Sequence, residues 1–138
     1  MSTGIHGHGS TLSIGATAVG NIISISGPEI SRDAIDISTM DSGTKHREFI
    51  PGMIDSGEIT VELNYDATST AGTSNFLKAQ TTSSAAAIVI TVPKGDGTTN
   101  KSTYTGSGFI TALGHAIPFD DKVTQSVGIK LTSTLALT

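Results

Sequence analysis

A few side chains in this sequence are of the types, and at the spacings, that enzymes and metal sites use. His6 and His8 alternate near the N-terminus and could share a metal ion. Asp120 and Asp121 could act as paired carboxylates, and Ser107 stands between two glycines, as a nucleophile on a tight turn would. Each of these chemistries also requires partner residues that hold, orient or deprotonate the reacting group.

The required partners are missing around all three groups. Zinc takes three or four protein ligands, and neither Cys nor a carboxylate lies near the two histidines. Adjacent carboxylates in a turn usually diverge. Gly106-Ser107-Gly108 lacks the Gly-x-Ser-x-Gly pattern and falls inside a predicted strand. We interpret the groups as a solvated tail, a solvated turn and a strand bend, and predict a protein that is not an enzyme and has no catalytic, metal-binding or cofactor-binding residues.

The composition disfavours several other classes of protein. Charged residues make up 14% of the chain, against about a quarter in an average soluble domain. A hydroxyl-rich surface suits strands, and it suits areas that neighbouring subunits cover, where charges would be costly to desolvate. The net charge of -4 disfavours binding to the phosphates of nucleic acid. With no cysteine, no signal peptide and no apolar run of about 18 residues, we expect cytosolic synthesis and no membrane binding.

The charges are distributed unevenly along the chain. Residues 27–66 contain nine acidic and three basic side chains, whereas the residues after 66 contain five lysines and three aspartates. One part of the fold is therefore negative and another mildly positive. A head-to-tail assembly of identical subunits could exploit this difference.

The elements that must position these residues are mostly strands. Residues 57–66 alternate, with Ile59, Val61, Leu63 and Tyr65 predicted inward, and residues 34–39 alternate in the same way. Residues 71–82 form the one plausible helix. Seven or so short strands with one helix predict an all-β fold, a β-sandwich or barrel. We expect a flexible arm over residues 1–10 and a single domain over 11–138.

A long segment, residues 40–56, matches neither a strand nor a helix and is predicted to be a loop. Loops of this length in compact domains usually bind something or are disordered. Disorder fits poorly because the segment contains an apolar cluster, and an apolar cluster on an outer loop needs a partner surface. We expect Phe49, Ile50, Met53 and Ile54 to be buried against a partner, beside the charged residues Lys45, Arg47 and Glu48.

The polar faces of the two strands beside this loop carry only hydroxyls and carboxylates, namely Asp36, Ser38, Glu58, Thr60 and Glu62. Such a face is common in a solvated antiparallel sheet. If copies of the sheet close around an axis, however, the same face lines a negative, water-filled channel. The first and last strands carry few charges that would protect a sheet edge, which favours closure on neighbouring copies.

The chain resembles the major tail tube proteins of long-tailed bacteriophages with non-contractile tails. The similarity lies in the order and spacing of short motifs over almost the whole chain after Leu12. The motifs are Ser26-Gly27-Pro28-Glu29, Arg32-Asp33-Ala34-Ile35-Asp36, Met40-Asp41-Ser42, Glu48-Phe49-Ile50-Pro51-Gly52, Asp55-Ser56-Gly57-Glu58, Gly108-Phe109-Ile110-Thr111 and Val127-Gly128-Ile129-Lys130-Leu131.

The resemblance implies a β-sandwich with one flanking helix, assembled as hexameric rings whose inner sheets join into an oligomeric β-barrel around a DNA channel. In that family the long loop reaches an adjacent ring. The resemblance therefore implies that Phe49, Ile50, Met53 and Ile54 are buried anchors of a contact between rings, with Lys45, Arg47 and Glu48 setting its register. The implied protein is a structural subunit of the virion tail, made and assembled in the cytoplasm of the host bacterium, that forms the conduit for DNA ejection. The implied partners are further copies of the chain, proteins at the tube ends, a tape-measure protein in the lumen, and double-stranded DNA that passes without specific binding.

Two alternatives stay open at the level of the sequence. Within the structural class, the chain could be the inner tube subunit of a contractile tail, a secretion system or a gene-transfer particle. From another class, it could be a monomeric carbohydrate-binding or adhesin-like β-sandwich. Such modules usually display aromatic stacking residues at one end, and this chain offers only Tyr65 and Tyr104 for that role.

Overall fold

The computed structural model describes residues 7–41, 43–65, 73–93 and 101–137. Ten strands and one helix lie within these ranges. They are β1 (Thr11–Ile14), β2 (Thr17–Val19), β3 (Ile22–Ser26), β4 (Ser31–Asp36), β5 (Phe49–Asp55), β6 (Glu58–Asn64), α1 (Thr73–Gln80), β7 (Ala86–Pro93), β8 (Lys101–Ala116), β9 (Thr124–Leu131) and β10 (Ala136–Leu137). The all-β fold with one short helix, predicted from the sequence, is confirmed.

One antiparallel sheet of eight strands runs in the order β2-β1-β7-β8-β9-β6-β3, with β10 beside β8. β8 changes partner in its middle: residues 101–108 pair with β7, and residues 108–116 pair with β9. The change occurs at Gly108, where a Cβ atom would lie 2.6 Å from the carbonyl oxygen of Lys130. Only glycine allows this approach. The sheet is thus divided into a first half (β2, β1, β7 and residues 101–108) and a second half (residues 108–116, β9, β6 and β3).

The buried residues of the two halves form one hydrophobic cluster, so the halves pack face to face as a sandwich. In β6, Ile59, Val61 and Leu63 are fully buried, as their alternation predicts. Tyr65 was also expected inward, but it lies beyond the end of β6 and is 43% exposed. Leu77 of α1 closes the core. The remaining members of the cluster are Leu12, Ile14, Val19, Ile88, Ile90, Ile110, Val127, Ile129 and Leu131.

The prediction of a loop over residues 40–56 is wrong in its second half, because β5 occupies Phe49–Asp55. This strand pairs with β4 in a separate two-stranded sheet and does not join the main sheet. β5 is exposed along most of its length, and its apolar and polar residues do not alternate, so periodicity gave no strand signal there. The alternating segment 34–39 overlaps β4, which ends at Asp36 and is exposed throughout. The connection that remains between β4 and β5 is residues 37–48.

Parts of the predicted organisation fall outside the described residues. These include residues 1–6 of the arm, with His6, and the first two residues of the predicted helix, 71 and 72. Of the arm, residues 7–10 are described, and Ser10 N–H donates to the carbonyl oxygen of Gly7 at 3.1 Å. Within the described ranges, no helix has the length and apolar character needed to cross a bilayer.

Candidate assembly interfaces

The two-stranded sheet of β4 and β5, with the connection 37–48, projects as a hairpin that we call the ribbon. Its strands pair from Ser31 opposite Asp55 to Asp36 opposite Phe49, with a register shift between Arg32 and Ala34. Arg32 Nε donates a hydrogen bond of 2.9 Å to the carbonyl oxygen of Gly52 near this shift. A hairpin held by its own ladder and supported by no core is only marginally stable by itself in water.

Both faces of the ribbon carry exposed apolar side chains. Ile35 and Ile50 lie opposite each other on one face, and the next pair, Asp36 and Phe49, lies on the other. Phe49 is 53% exposed, and the three other predicted anchors, Ile50, Met53 and Ile54, are exposed as well. Leaving apolar surface in water forgoes about 25 cal/mol per Å² relative to burial. A ribbon that is apolar on two faces is therefore suited to contact other molecules on both sides.

The far end of the ribbon holds the polar residues that were expected to set its register. The Asp36 carboxylate accepts a hydrogen bond from Ser38 N–H at 2.8 Å, and hydrogen bonding by Ser38 lowers the pKa of Asp36. Arg47 lies 4.0 Å from the same carboxylate, but both side chains are well exposed, so this ion pair contributes little. Glu48 donates its N–H to Ser38 Oγ at 2.7 Å. Lys45 lies in the connection with a φ of 59°.

The ribbon joins the main sheet through a narrow neck in which two glycines have left-handed backbone conformations. A Cβ atom on Gly27 (φ 93°) would lie 2.4 Å from the carbonyl oxygen of Glu58. A Cβ atom on Gly57 (φ 76°) would lie 2.3 Å from the carbonyl oxygen of Glu29. The incoming and outgoing chains thus touch through backbone atoms. This close approach fixes the point where the ribbon leaves the sandwich.

An ion pair ties the same neck to the second half-sheet. Lys130 Nζ of β9 lies 2.9 Å from Asp55 Oδ1, which also accepts the N–H of Gly57 at 2.9 Å. The hydrogen bond from Lys130, helped by the Gly57 N–H and by the ammonium charge, lowers the pKa of Asp55 below its ordinary value of 3.8. Asp55 should therefore stay ionised, and the neck intact, well into mildly acidic solution.

This ion pair predicts a pH dependence of stability. A carboxylate whose pKa falls on folding stabilises the protein above its unfolded pKa and loses that contribution as the pH falls through the folded pKa. We expect Asp55→Asn to lower the urea midpoint at neutral pH and to flatten its decline below about pH 3.8. Asp41→Asn, at the far end of the ribbon, should keep the wild-type profile. Parallel profiles for wild type and Asp55→Asn would contradict the assignment.

The second half-sheet presents a polar face on the side away from the core. Glu58, Thr60 and Glu62 of β6 point to this open face, since the residues between them are buried. Thr111 Oγ1 of β8 donates to Glu58 Oε1 at 3.1 Å across the same face. By register the face also includes Ser24, Ser26, Phe109, Ala112, Gly114, Ala116, Thr124, Ser126, Gly128 and Lys130.

The structure separates the five residues that the sequence placed on one channel-lining face. Glu58, Thr60 and Glu62 lie together on the open face, whereas Asp36 and Ser38 belong to the ribbon. The sequence missed the small and hydroxyl-bearing residues that β3, β8 and β9 add to the open face. Only the pairing register, which joins segments far apart in the chain, brings them together.

Two edges of the second half-sheet have no ladder partner among the described residues. β3 pairs only with β6, and residues 109–116 of β8 pair only with β9. Neither edge contains Pro, Lys, Arg, Asp or Glu. Isolated proteins usually protect long strand edges with such residues. These two edges are therefore suited to pair with strands of other subunits.

The side chains with candidate chemistry occupy structural positions. Ser107 lies in β8, where its N–H donates to Ser133 Oγ at 2.9 Å. Asp121 Oδ1 accepts the N–H of Lys122 at 2.7 Å within a turn. Among the described residues, which include His8 but exclude His6, no group of three or more His, Cys, Asp or Glu could hold a metal ion.

Several solved structures share this fold. A chain of the sheath–tube complex of an extracellular contractile injection system (PVC) superposes with a TM-score of 0.77 at 20% identity, covering 100% of this chain and 93% of that chain. The tail of an empty gene transfer agent particle, computed with C6 symmetry, gives 0.63 at 14% identity with coverages of 94% and 93%. The SPP1 tail tube gives 0.63 at 12% identity with coverages of 96% and 78%.

The sequence comparisons assign the family. No curated protein sequence matches this chain significantly. The family model of the lambda phage tail tube protein, in contrast, matches residues 7–137, which is nearly the whole chain. This match confirms the resemblance that the short motifs indicated, and it favours a tube subunit over a monomeric carbohydrate-binding module. The chain belongs to the lambda phage tail tube protein family, whose members are structural components of the virion tail.

Proposed function

We propose that six copies of this chain form a ring, and that the rings stack into the tail tube through which DNA is ejected. The observation that carries the proposal is the ribbon, a hairpin with apolar side chains on two exposed faces and no core of its own. The apolar side chains of the ribbon are exposed in the single subunit, and burial against neighbouring copies would remove them from water. Six-fold symmetry is supported by the C6 tail of the gene transfer agent particle, which shares the fold.

Within a ring, the two free edges pair with each other. The second half-sheet contains four strands that are antiparallel throughout. Because this number is even, β3 of one copy runs antiparallel to residues 109–116 of the next copy when both are related by rotation about the ring axis. The same antiparallel ladder then continues from subunit to subunit. A closed barrel of this kind leaves no strand edge exposed.

Between rings, the ribbon provides the contact. Phe49 and Ile50 lie on opposite faces of the ribbon, so each would be buried against a different surface of the neighbouring ring. Met53 and Ile54 lie nearer the neck. Lys45, Arg47 and Glu48 lie at or near the far end, where charged residues fix the register of an interface more than its strength. The neck glycines and the Lys130–Asp55 pair hold the ribbon at one angle to the barrel.

The open face lines the lumen in this arrangement. Glu58 and Glu62 give it a negative charge, and the Lys130 ammonium on the same face is paired with Asp55. Apart from Phe109, the other side chains of the face are small or bear hydroxyls. Negative groups repel DNA phosphates over roughly 8–10 Å at physiological salt, so the duplex passes without sticking. A tape-measure protein in the lumen and further tail proteins at the ends complete the proposed set of partners.

Disulfide cross-linking would test the ring. The chain has no cysteine, so Ser24→Cys with Ala112→Cys introduces one thiol at each free edge of the open face. Across a shared ladder the two Cβ atoms would lie about 4.5–5.5 Å apart, close enough for a disulfide. Oxidised rings or tubes should give a ladder of covalent species that ends at six copies on a denaturing gel.

The geometry supplies the control for this test. Within one subunit β6 and β9 separate the two positions, so a disulfide cannot form there at a strand spacing of about 4.8 Å. Ala116→Cys in place of Ala112→Cys examines an alternative register of the same ladder. The proposal would be overturned if wild-type protein, imaged by electron microscopy at high concentration and with tail components present, formed neither rings nor tubes.

A further inference from the structure

An apolar groove of about 810 Å³ opens beside β3, and residues of both half-sheets line it. On one side lie Ile22, Ile23 and Ile25 of β3, and on the other lie Ile90 of β7 and Tyr104 of β8. Pro28 and the segment 7–10 complete the wall. Of these residues, Ile23 is 43% exposed to solvent. The groove is the open side of the sandwich core at the edge that β3 forms.

A second apolar feature lies at the opposite edge of the second half-sheet. The connection from β8 to β9, residues 117–123, carries Ile117 and Phe119, whose exposed fractions are 78% and 106%. No described residue therefore covers Phe119. Asp120, Asp121 and Lys122 follow directly, so the apolar tip is flanked by charge on one side only. A fully exposed phenylalanine beside charged residues has the pattern of an interface anchor with a polar rim.

The arrangement of copies in the ring determines which apolar features of neighbouring subunits can come into contact. In a cyclic ring the β3 side of each copy faces the β8 side of the next. The groove lies on the β3 side, and the loop with Phe119 directly continues the free edge of β8. The ribbon, in contrast, continues β3 and thus lies on the same side as the groove. Within one ring, Phe119 is presented to a neighbour's groove and a ribbon is not.

We propose that Phe119 of one copy inserts into the groove beside β3 of the next copy in the ring, with Ile117 packing at its entrance. This inference rests on the ring proposed above. Insertion removes an aromatic ring from water, closes the open side of the neighbour's core, and leaves the charged residues of the loop at the rim. The contact acts beside the β3–β8 ladder, and it supplies the side-chain specificity that a backbone ladder lacks.

Photo-cross-linking at position 119 would test this contact. p-Benzoylphenylalanine in place of Phe119 keeps an aromatic side chain and reacts with C–H groups that it touches. Tubes assembled from a mixture of isotopically labelled and unlabelled copies distinguish adducts between subunits from adducts within one. We expect adducts between subunits at residues 22–25 or at Tyr104. If intact tubes form but the adducts lie in the ribbon or elsewhere, the Phe119 contact is wrong and the proposed ring is unaffected. If the wild type forms no rings, the proposed ring itself is wrong.

A substitution series gives an independent measurement. Phe119→Ser should leave the unfolding midpoint of the monomer unchanged, because no described residue covers the side chain, and should raise the critical concentration for assembly about tenfold or more. Phe119→Leu, the matched control, keeps an apolar side chain and should assemble near the wild-type concentration. Equal critical concentrations for Phe119→Ser and wild type would overturn the proposal.

Discussion

Replacing Phe49 with alanine is expected to leave the subunit folded and to prevent tube formation at concentrations where the wild type assembles. Phe49 is 53% exposed and belongs to a sheet with no core, so its truncation should cost the folded monomer less than about 1 kcal/mol. Burial of the ring against a neighbour is worth about 2 kcal/mol. That loss weakens each contact between subunits roughly 30-fold, and it recurs in every copy along the tube.

The measurements for this prediction separate folding from assembly. Urea unfolding of the monomer measures its folding stability. Sedimentation or electron microscopy across a concentration series measures its assembly. Ile59→Ala is the opposite control: this side chain is 0% exposed in the core, and its truncation should cost about 2–5 kcal/mol of folding free energy. Tubes of normal length and stability from Phe49→Ala would remove the ribbon from the proposed interface.

Replacing Gly57 with alanine is expected to cause a large loss of stability, although the residue lies outside the core. The φ of 76° alone costs an L-residue about 1–2 kcal/mol. In addition, the new Cβ would lie 2.3 Å from the carbonyl oxygen of Glu29, a contact that backbone atoms must relieve by moving apart. We expect a total loss above about 2 kcal/mol in urea unfolding. The displaced neck should also misdirect the ribbon and impair assembly.

Gly15 provides a matched control for the neck. Its φ is 64°, similar to that of Gly57, but no atom of the described residues lies within 4 Å of the Cβ that alanine would add. Gly15→Ala therefore reports the conformational strain alone, and the difference between the two variants reports the close contact at the neck. Equal losses for both variants, together with normal assembly of Gly57→Ala, would show that the contact between the chains at the neck is unimportant.

Alternation predicted the strands that have one buried face. β6 was recognised because Ile59, Val61 and Leu63 face the core while the residues between them face water. The fold class and the family resemblance followed from such local patterns and from their order. The apolar residues of the ribbon were also recognised as unusual for an outer segment, although β5 was taken for a loop.

Burial on one side is recorded in a sequence locally, residue by residue, and this is why the sequence alone determined the fold class and the core strand β6, and why it drew attention to the apolar residues of the ribbon. Pairing between distant segments leaves no such local record. Only the tertiary structure showed that Asp36 and Ser38 belong to the ribbon and that Glu58 lies on the open face. It also showed that β8 changes its pairing partner at Gly108, and that β3 and residues 109–116 of β8 have free edges. Likewise, Phe119 directly precedes Asp120 and Asp121, which were interpreted as a solvated turn, and no local pattern distinguished it. Its importance depends on the groove at the opposite edge of the sheet, which forms from residues more than 60 positions apart in the chain, such as Ile22 and Ile90.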